Sequence, residues 1–293
     1  MSHATHVLPG HPVIPGASAA RKNVWRVVSR VVEPKLLLAS AASMVLGGAA
    51  AARDGPMAWG WLGVTIAGVL LLEAAKNRVG DLPGSVQGKV LAAALYALGA
   101  ACAVAIIGWR DGRVLWLGLA GLALGYAHRA RRPRLSHPAL GATAIALAYG
   151  PLVASGTYLV QRGAVPVQVA LASLPLGLLT VALLWIDDVR DGDAAGGAAP
   201  RTMAARIGGK RTSQAFAAVV GGAYVALAAL PLLGVTVGVW LGLAGAPHAF
   251  LAAQRFAVAH DDDARMAPAR AWTLVSLLLM AAGAALGLLV GPR

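Results

Sequence analysis

Nine apolar stretches recur along this chain, at about residues 36–52, 57–74, 90–109, 114–127, 138–160, 165–186, 213–233, 235–254 and 271–290. Most approach the roughly 20 residues that carry a helix across a bilayer. Hydrocarbon offers no water to backbone N–H and C=O groups, so a crossing segment must pair them internally, as a helix does. The pattern predicts an all-α fold, a polytopic membrane bundle of about nine transmembrane helices. Composition agrees: 58% of residues are apolar and 13% charged, and the mean hydropathy is +0.69. A soluble fold needs more polar surface than that. The fourth stretch is short, and only a Pro231/Gly234 turn signal divides the seventh from the eighth, so eight spans is the alternative count.

The net charge of +13 is spread between the apolar stretches and does not form one basic face, which argues against nucleic acid as a partner. Topology accounts for it instead. With nine spans and the N-terminus inside, 20 of the 25 Lys and Arg residues fall on one side, leaving Arg53, Arg110, Arg113, Arg162 and Arg293 on the other. Ten of the 12 acids share the basic side, with Asp54 and Asp111 outside. By the positive-inside rule this side is cytoplasmic and forms a polar cap over the bundle. The outside links read as short turns, RDGP at 53–56 and QRG at 161–163. The expectation is an integral protein of a bacterial cell membrane, with its N-terminus and polar loops in the cytoplasm. Residues 1–20 read as a disordered tail with no signal peptide. Residues 21–35, with Arg26 and Arg30 among apolar neighbours, read as an amphipathic interfacial helix. Residues 36–293 form a single transmembrane domain. The one cysteine, Cys102, excludes a disulfide or a cysteine metal cluster.

Chemistry is expected where the sixth apolar stretch runs into LLWIDDVRDGDAAGGAAPRTMAAR, residues 183–206. Carboxylates are expensive beside hydrocarbon, so Asp187, Asp188, Asp191 and Asp193 mark a functional site or else a solvated loop that offsets nearby arginines. If the helix continues, Asp187 and Asp191 share one face. Their repulsion is relieved by a bound cation, and Mg2+ suits a few carboxylates plus substrate phosphates. A second cluster follows the second span, EAAKNRVGDLPGSVQGK at 73–89, where Asn77 and Asp81 repeat the one-turn spacing on the same predicted side. Two such pairs on different helices suit magnesium ions held against a diphosphate, with Lys76 and Arg78 adding charge for its oxygens.

At these motifs the chain resembles the UbiA superfamily of intramembrane prenyltransferases, whose members have about nine transmembrane helices and two aspartate-rich cytoplasmic motifs, NDxxDxxxD and DxxxD. Asn77 and Asp81 match the first motif, with Arg78 and Ser85 at two of its acidic positions, and Asp187 and Asp191 match the second. The stretches YGPLVASGTYLVQRG at 149–163 and RTMAARIGGKR at 201–211 are similar to the menaquinone-pathway branch that prenylates 1,4-dihydroxy-2-naphthoate. There the second motif reads roughly NNxRDxxxD. Arg190 and Asp191 match it, Asp187 and Asp188 replace the asparagines, and Asp193 precedes Ala195, which stands at the last acidic position. YAHRAR at 126–131 is loosely similar to the family's YPxxKR segment.

The resemblance implies an enzyme that transfers a prenyl group from a polyprenyl diphosphate to an aromatic, quinone-precursor acceptor. Its metal ligands are Asn77, Asp81, Asp187, Asp188, Asp191 and Asp193, of which Asp81, Asp187 and Asp191 are the catalytic acids. Lys76, Arg78, Tyr126, Arg131, Arg190 and Arg201 bind the substrate. Tyr126, Tyr149 and Trp185 either shield an allylic cation or simply pack. Glu73 either orients Asn77 or Arg78 or is a helix-end charge. Asp261, Asp262 and Asp263 read as a solvated loop, and His128 and His137 as surface histidines or proton carriers. Two other classes stay open: a membrane terpene cyclase of the same superfamily, and a transporter or scaffold. The second is disfavoured because the acids gather at one face and not at the midplane.

Overall fold

A computed structural model describes residues 34–81, 86–129, 138–194, 208–259 and 263–291. The predicted tail and nearly all of the predicted interfacial helix lie outside the described residues. The chain forms helices α1 (Pro34–Arg53), α2 (Trp59–Asp81), α3 (Val86–Trp109), α4 (Val114–Arg129) and α5 (Pro138–Leu147). A π-helical turn, Ala148–Leu152, joins α5 to α6 (Val153–Arg162), and α7 (Val167–Ala194) and α8 (Gly209–Ala229) follow. Beyond the 3-10 segments Leu230–Leu233 and Val237–Gly245 come α9 (Ala246–Ala259) and α10 (Asp263–Val290). Among the described residues there is no strand.

Among the described residues, seven segments are long and apolar enough to cross a membrane: Lys35–Arg53, Trp59–Lys76, Gly88–Trp109, Leu140–Arg162, Val167–Ile186, Gly209–Leu233 and Arg265–Val290. Helix also forms in the other two predicted stretches, but differently. The fourth holds only a shorter apolar helix, Val114–Leu124. The eighth is not one α-helix, because nine residues within it, Val237–Gly245, wind as 3-10 helix. Gly234, in the left-handed conformation at φ 81°, breaks the chain between the seventh and eighth. That conformation costs glycine nothing, and the turn closes through Val235 N–H donating to the Leu230 carbonyl at 3.2 Å.

The irregular segments go with close backbone approach. A Cβ on Gly287 would fall on the backbone of Gly238 and lie 2.9 Å from the Val239 nitrogen, while one on Gly283 would meet Leu241 and Gly242. The 3-10 segment thus lies backbone to backbone on α10. Lipid supplies no hydrophobic drive between helices, so small residues that permit such contact hold them together. The same device brings the π-helical turn onto α7, where a Cβ on Gly150 would stand 2.6 Å from the Ser173 carbonyl oxygen. Pro151 lies inside that turn; lacking an N–H, it cannot complete a regular α-helical ladder. The core is built on α1, α7, α8, α9 and α10, with Leu46, Leu179, Leu277 and Met280 fully buried. Phe216 and Phe256 meet edge to face at 4.9 Å. Outward residues such as Trp109, 76% exposed, are apolar.

One end of the bundle is tied by arginines. Arg53 donates to the Leu288 carbonyl at 3.2 Å, Arg110 to the Val160 carbonyl at 3.0 Å and Arg162 to the Ala51 carbonyl at 2.8 Å. Arg113 grips Asp111 at 2.7 Å and also donates to the Gly163 carbonyl. These carbonyls close α1, α6 and α10, where helices leave acceptors unpaired. Tyr158 donates its hydroxyl to Asp54 at the same end. The outside link expected at 161–163 lies instead at 163–166: Gln161 and Arg162 complete α6, and Gln161 is buried, its amide oxygen accepting the Ala58 N–H at 3.0 Å.

Gly287→Ala is expected to lower stability by about 1–3 kcal/mol, because backbone on the other side cannot give way. Gly221→Ala, with nothing within 4 Å of the added atom, is the neutral control in thermal unfolding in detergent. Hydrogen bonds from Arg113 hold the Asp111 carboxyl below its ordinary value of 3.8. Its contribution is therefore present above that value and lost as pH falls through the lowered one. Wild type should lose more stability than Asp111→Asn on acidification from about pH 5 to about pH 3, by a small margin because the pair is exposed.

Candidate active site

The arginine-tied end holds the α1–α2 turn, the α3–α4 turn, the end of α6 and the end of α10. The C-terminal ends of α2, α4 and α7 therefore point to the other end. Both motif helices run on past their apolar parts. The apolar part of α2 ends at Lys76, but the helix continues to Asp81, carrying Asn77, Arg78 and Asp81 in its last turns. The apolar part of α7 ends at Ile186, and the helix continues to Ala194, carrying Asp187, Asp188, Arg190, Asp191 and Asp193. Helical continuity is the condition on which the shared face of Asp187 and Asp191 depends, and the backbone meets it. Tyr126 lies in the last turn of α4 at the same end. The side chains of these residues, and Arg131 and Arg201 altogether, lie outside the described residues, as do the side chains of His128 and Asp263 and the whole of His137, Asp261 and Asp262.

What the structure details here is the polar group beneath the motifs. Glu73 accepts from the Lys76 ammonium at 2.6 Å through Oε1 and from the Tyr149 hydroxyl at 3.1 Å through Oε2. The ammonium stands 5.8 Å from the Tyr149 ring centroid. The Glu73 side chain is only 12% exposed. A carboxylate so placed in a membrane-spanning helix is tolerable only when paired, and here both oxygens are. From α1, Ser43 donates to the Tyr149 carbonyl. Trp185 is buried in a cluster with Ile145, Ala146 and Val181. Among the described residues no three His, Cys, Asp or Glu side chains gather as a metal-ligand group.

With this arrangement in view, comparison with known proteins is decisive on one point. A model of the UbiA prenyltransferase family matches residues 84–275, about two thirds of the chain. The chain belongs to the UbiA prenyltransferase family. The match takes in the α7 motif and begins just after Asp81, so the α2 motif lies outside it. The UbiA fold is also recognisable in a solved structure of digeranylgeranylglyceryl phosphate synthase, which aligns with a TM-score of 0.57 and 13% identity over 90% of this chain and 95% of that one. At that identity the likeness is one of fold. No curated protein sequence matches the chain.

The pairing of Glu73 with Tyr149 escaped the sequence reading. The one-turn spacing of 73 to 77 was visible, but the partner lies 76 positions away. A proline in the middle of an apolar stretch, Pro151, was the available signal that the helix there departs from regularity.

Proposed function

We propose that this UbiA family member is a magnesium-dependent prenyltransferase that moves the prenyl group of a polyprenyl diphosphate onto an aromatic, quinone-precursor acceptor. The observation that carries the reading is the family match across the α7 motif, together with the extension of α7 as helix beyond its apolar part. The donor set fits the metal: Asn77, Asp81, Asp187, Asp188, Asp191 and Asp193 offer only oxygen ligands, with no thiolate or imidazole, as hard Mg2+ requires. When bound, magnesium neutralises the diphosphate and stabilises it as a leaving group.

The protein's own part is electrostatic and positional. Arg131, Arg190 and Arg201, with Lys76 and Arg78, supply cationic donors for phosphate oxygens at the polar end. The prenyl tail lies among apolar helices, where it is soluble. The allylic C–O bond breaks, a ring carbon of the acceptor forms the new C–C bond, and the proton it carried leaves. Asp81, Asp187 and Asp191 would hold the cation that offsets the negative charge developing on the leaving group, the kind of electrostatic task that dominates many enzyme rate enhancements. The naphthoate acceptor is the favoured one, on the likeness of residues 149–163 and 201–211 to that branch.

Purified protein in detergent with Mg2+, a set of prenyl diphosphates and either 1,4-dihydroxy-2-naphthoate or 4-hydroxybenzoate is expected to yield a prenylated aromatic, read by mass spectrometry of the lipid products. Asp191→Asn should lower that rate by about 10²-fold or more. Pyrophosphate with only cyclic hydrocarbon as product would convert the reading to a terpene cyclase, and no pyrophosphate from any donor would sink it.

A further inference from the structure

We propose that Glu73 and Tyr149 are a positioning pair that sets the metal-binding end of α2 against that of α7; this rests on the magnesium reading above. Glu73, Asn77 and Asp81 follow one another at four-residue steps, so they form a single stripe along α2. Glu73 is the member of that stripe whose direction is seen. Its carboxylate is aimed at the π-helical turn, where it accepts the Tyr149 hydroxyl at 3.1 Å. The face that carries Asn77 and Asp81 is thereby keyed to Tyr149.

Tyr149 is in turn keyed to α7. Its ring packs against both apolar clusters of the bundle, one of which includes Ala182 and Ile186 and the other Val181 and Trp185. Ile186 is the residue immediately before Asp187. One side chain thus has its hydroxyl on Glu73, one turn below Asn77, and packs against the two clusters to which the last apolar residues before the α7 aspartates belong. Ser43 holds the Tyr149 carbonyl from a third helix, and Gly150 permits the close approach of this turn to α7. π-helical turns recur at functional sites, and here the turn presents the residue that bridges the two motifs. Lys76 completes the group: paired with Glu73 at 2.6 Å, it cancels a carboxylate that would otherwise repel the acids above it.

Residues that orient metal ligands from behind typically change metal affinity by 10- to 100-fold when altered. The test is Mn2+ binding to the full chain in detergent, followed by electron paramagnetic resonance, for wild type, Glu73→Gln, Tyr149→Phe and the double variant. Each single variant should weaken Mn2+ binding by about 10-fold or more, and the double variant should be no weaker than the worse single one, since both act through one contact. Tyr149→Phe removes only a hydroxyl, so it carries the test if Glu73→Gln fails to fold. Loss of thermal stability with Mn2+ affinity within about twofold of wild type would assign the pair a purely structural role and overturn the inference while leaving the transferase reading intact. Failure of the wild type itself to bind Mn2+ would overturn the metal reading and this inference together.

Discussion

Every helix C-terminus in a membrane protein leaves carbonyls without partners in the helix, and close to hydrocarbon there is little water to take them. The described structure is organised around that shortage. At the end away from the motifs, Arg53, Arg110, Arg113 and Arg162 each give a guanidinium donor to a carbonyl at the close of a neighbouring helix. In the sequence these four stand out as departures from the charge asymmetry. In the structure they are the ties that hold one end of the bundle shut, opposite the end to which the motif helices run.

The two ends therefore divide the work. Stability is concentrated where arginines reach across to other helices, and the motif helices α2 and α7 are free to project their final turns past the apolar layer. A rigid far end makes the register of those turns reproducible, since each helix is a stiff rod fixed at its base. The glycine contacts serve the same purpose laterally: Gly150 on α7 and Gly238 on α10 bring backbones together where side chains would introduce slack.

How much of this was legible in the sequence follows from the range of each signal. Helix positions were legible because hydropathy is local and a bilayer imposes its own length, and the family was legible because the spacing from Asp187 to Asp191 is contained in a single turn. The shapes of the eighth stretch and of the turn at Pro151 were not. There the outcome depends on Gly283 and Gly287 of α10, or on Ser173 and Gly177 of α7, far along the chain. The same holds for Glu73, whose neighbours in sequence gave two possible roles and whose partner Tyr149 decides what it touches. The link at 161–163 was misjudged because Gln161 looks like a solvent residue until Ala58 is seen to need an acceptor.

The 3-10 winding of Val237–Gly245 carries a further consequence, one of reach. A 3-10 helix rises about 2.0 Å per residue where an α-helix rises about 1.5 Å, so the nine residues of this run advance roughly 18 Å instead of roughly 14 Å. The chain between Thr236 and the end of α9 thus reaches further than an α-helix of the same residue count would. Overwinding lengthens this run by nearly a full α-helical turn ahead of α9, in which Arg255 donates to the Arg265 carbonyl at 3.0 Å. By rise alone, the nine 3-10 residues and the 14 residues of α9 together make roughly 39 Å of helix.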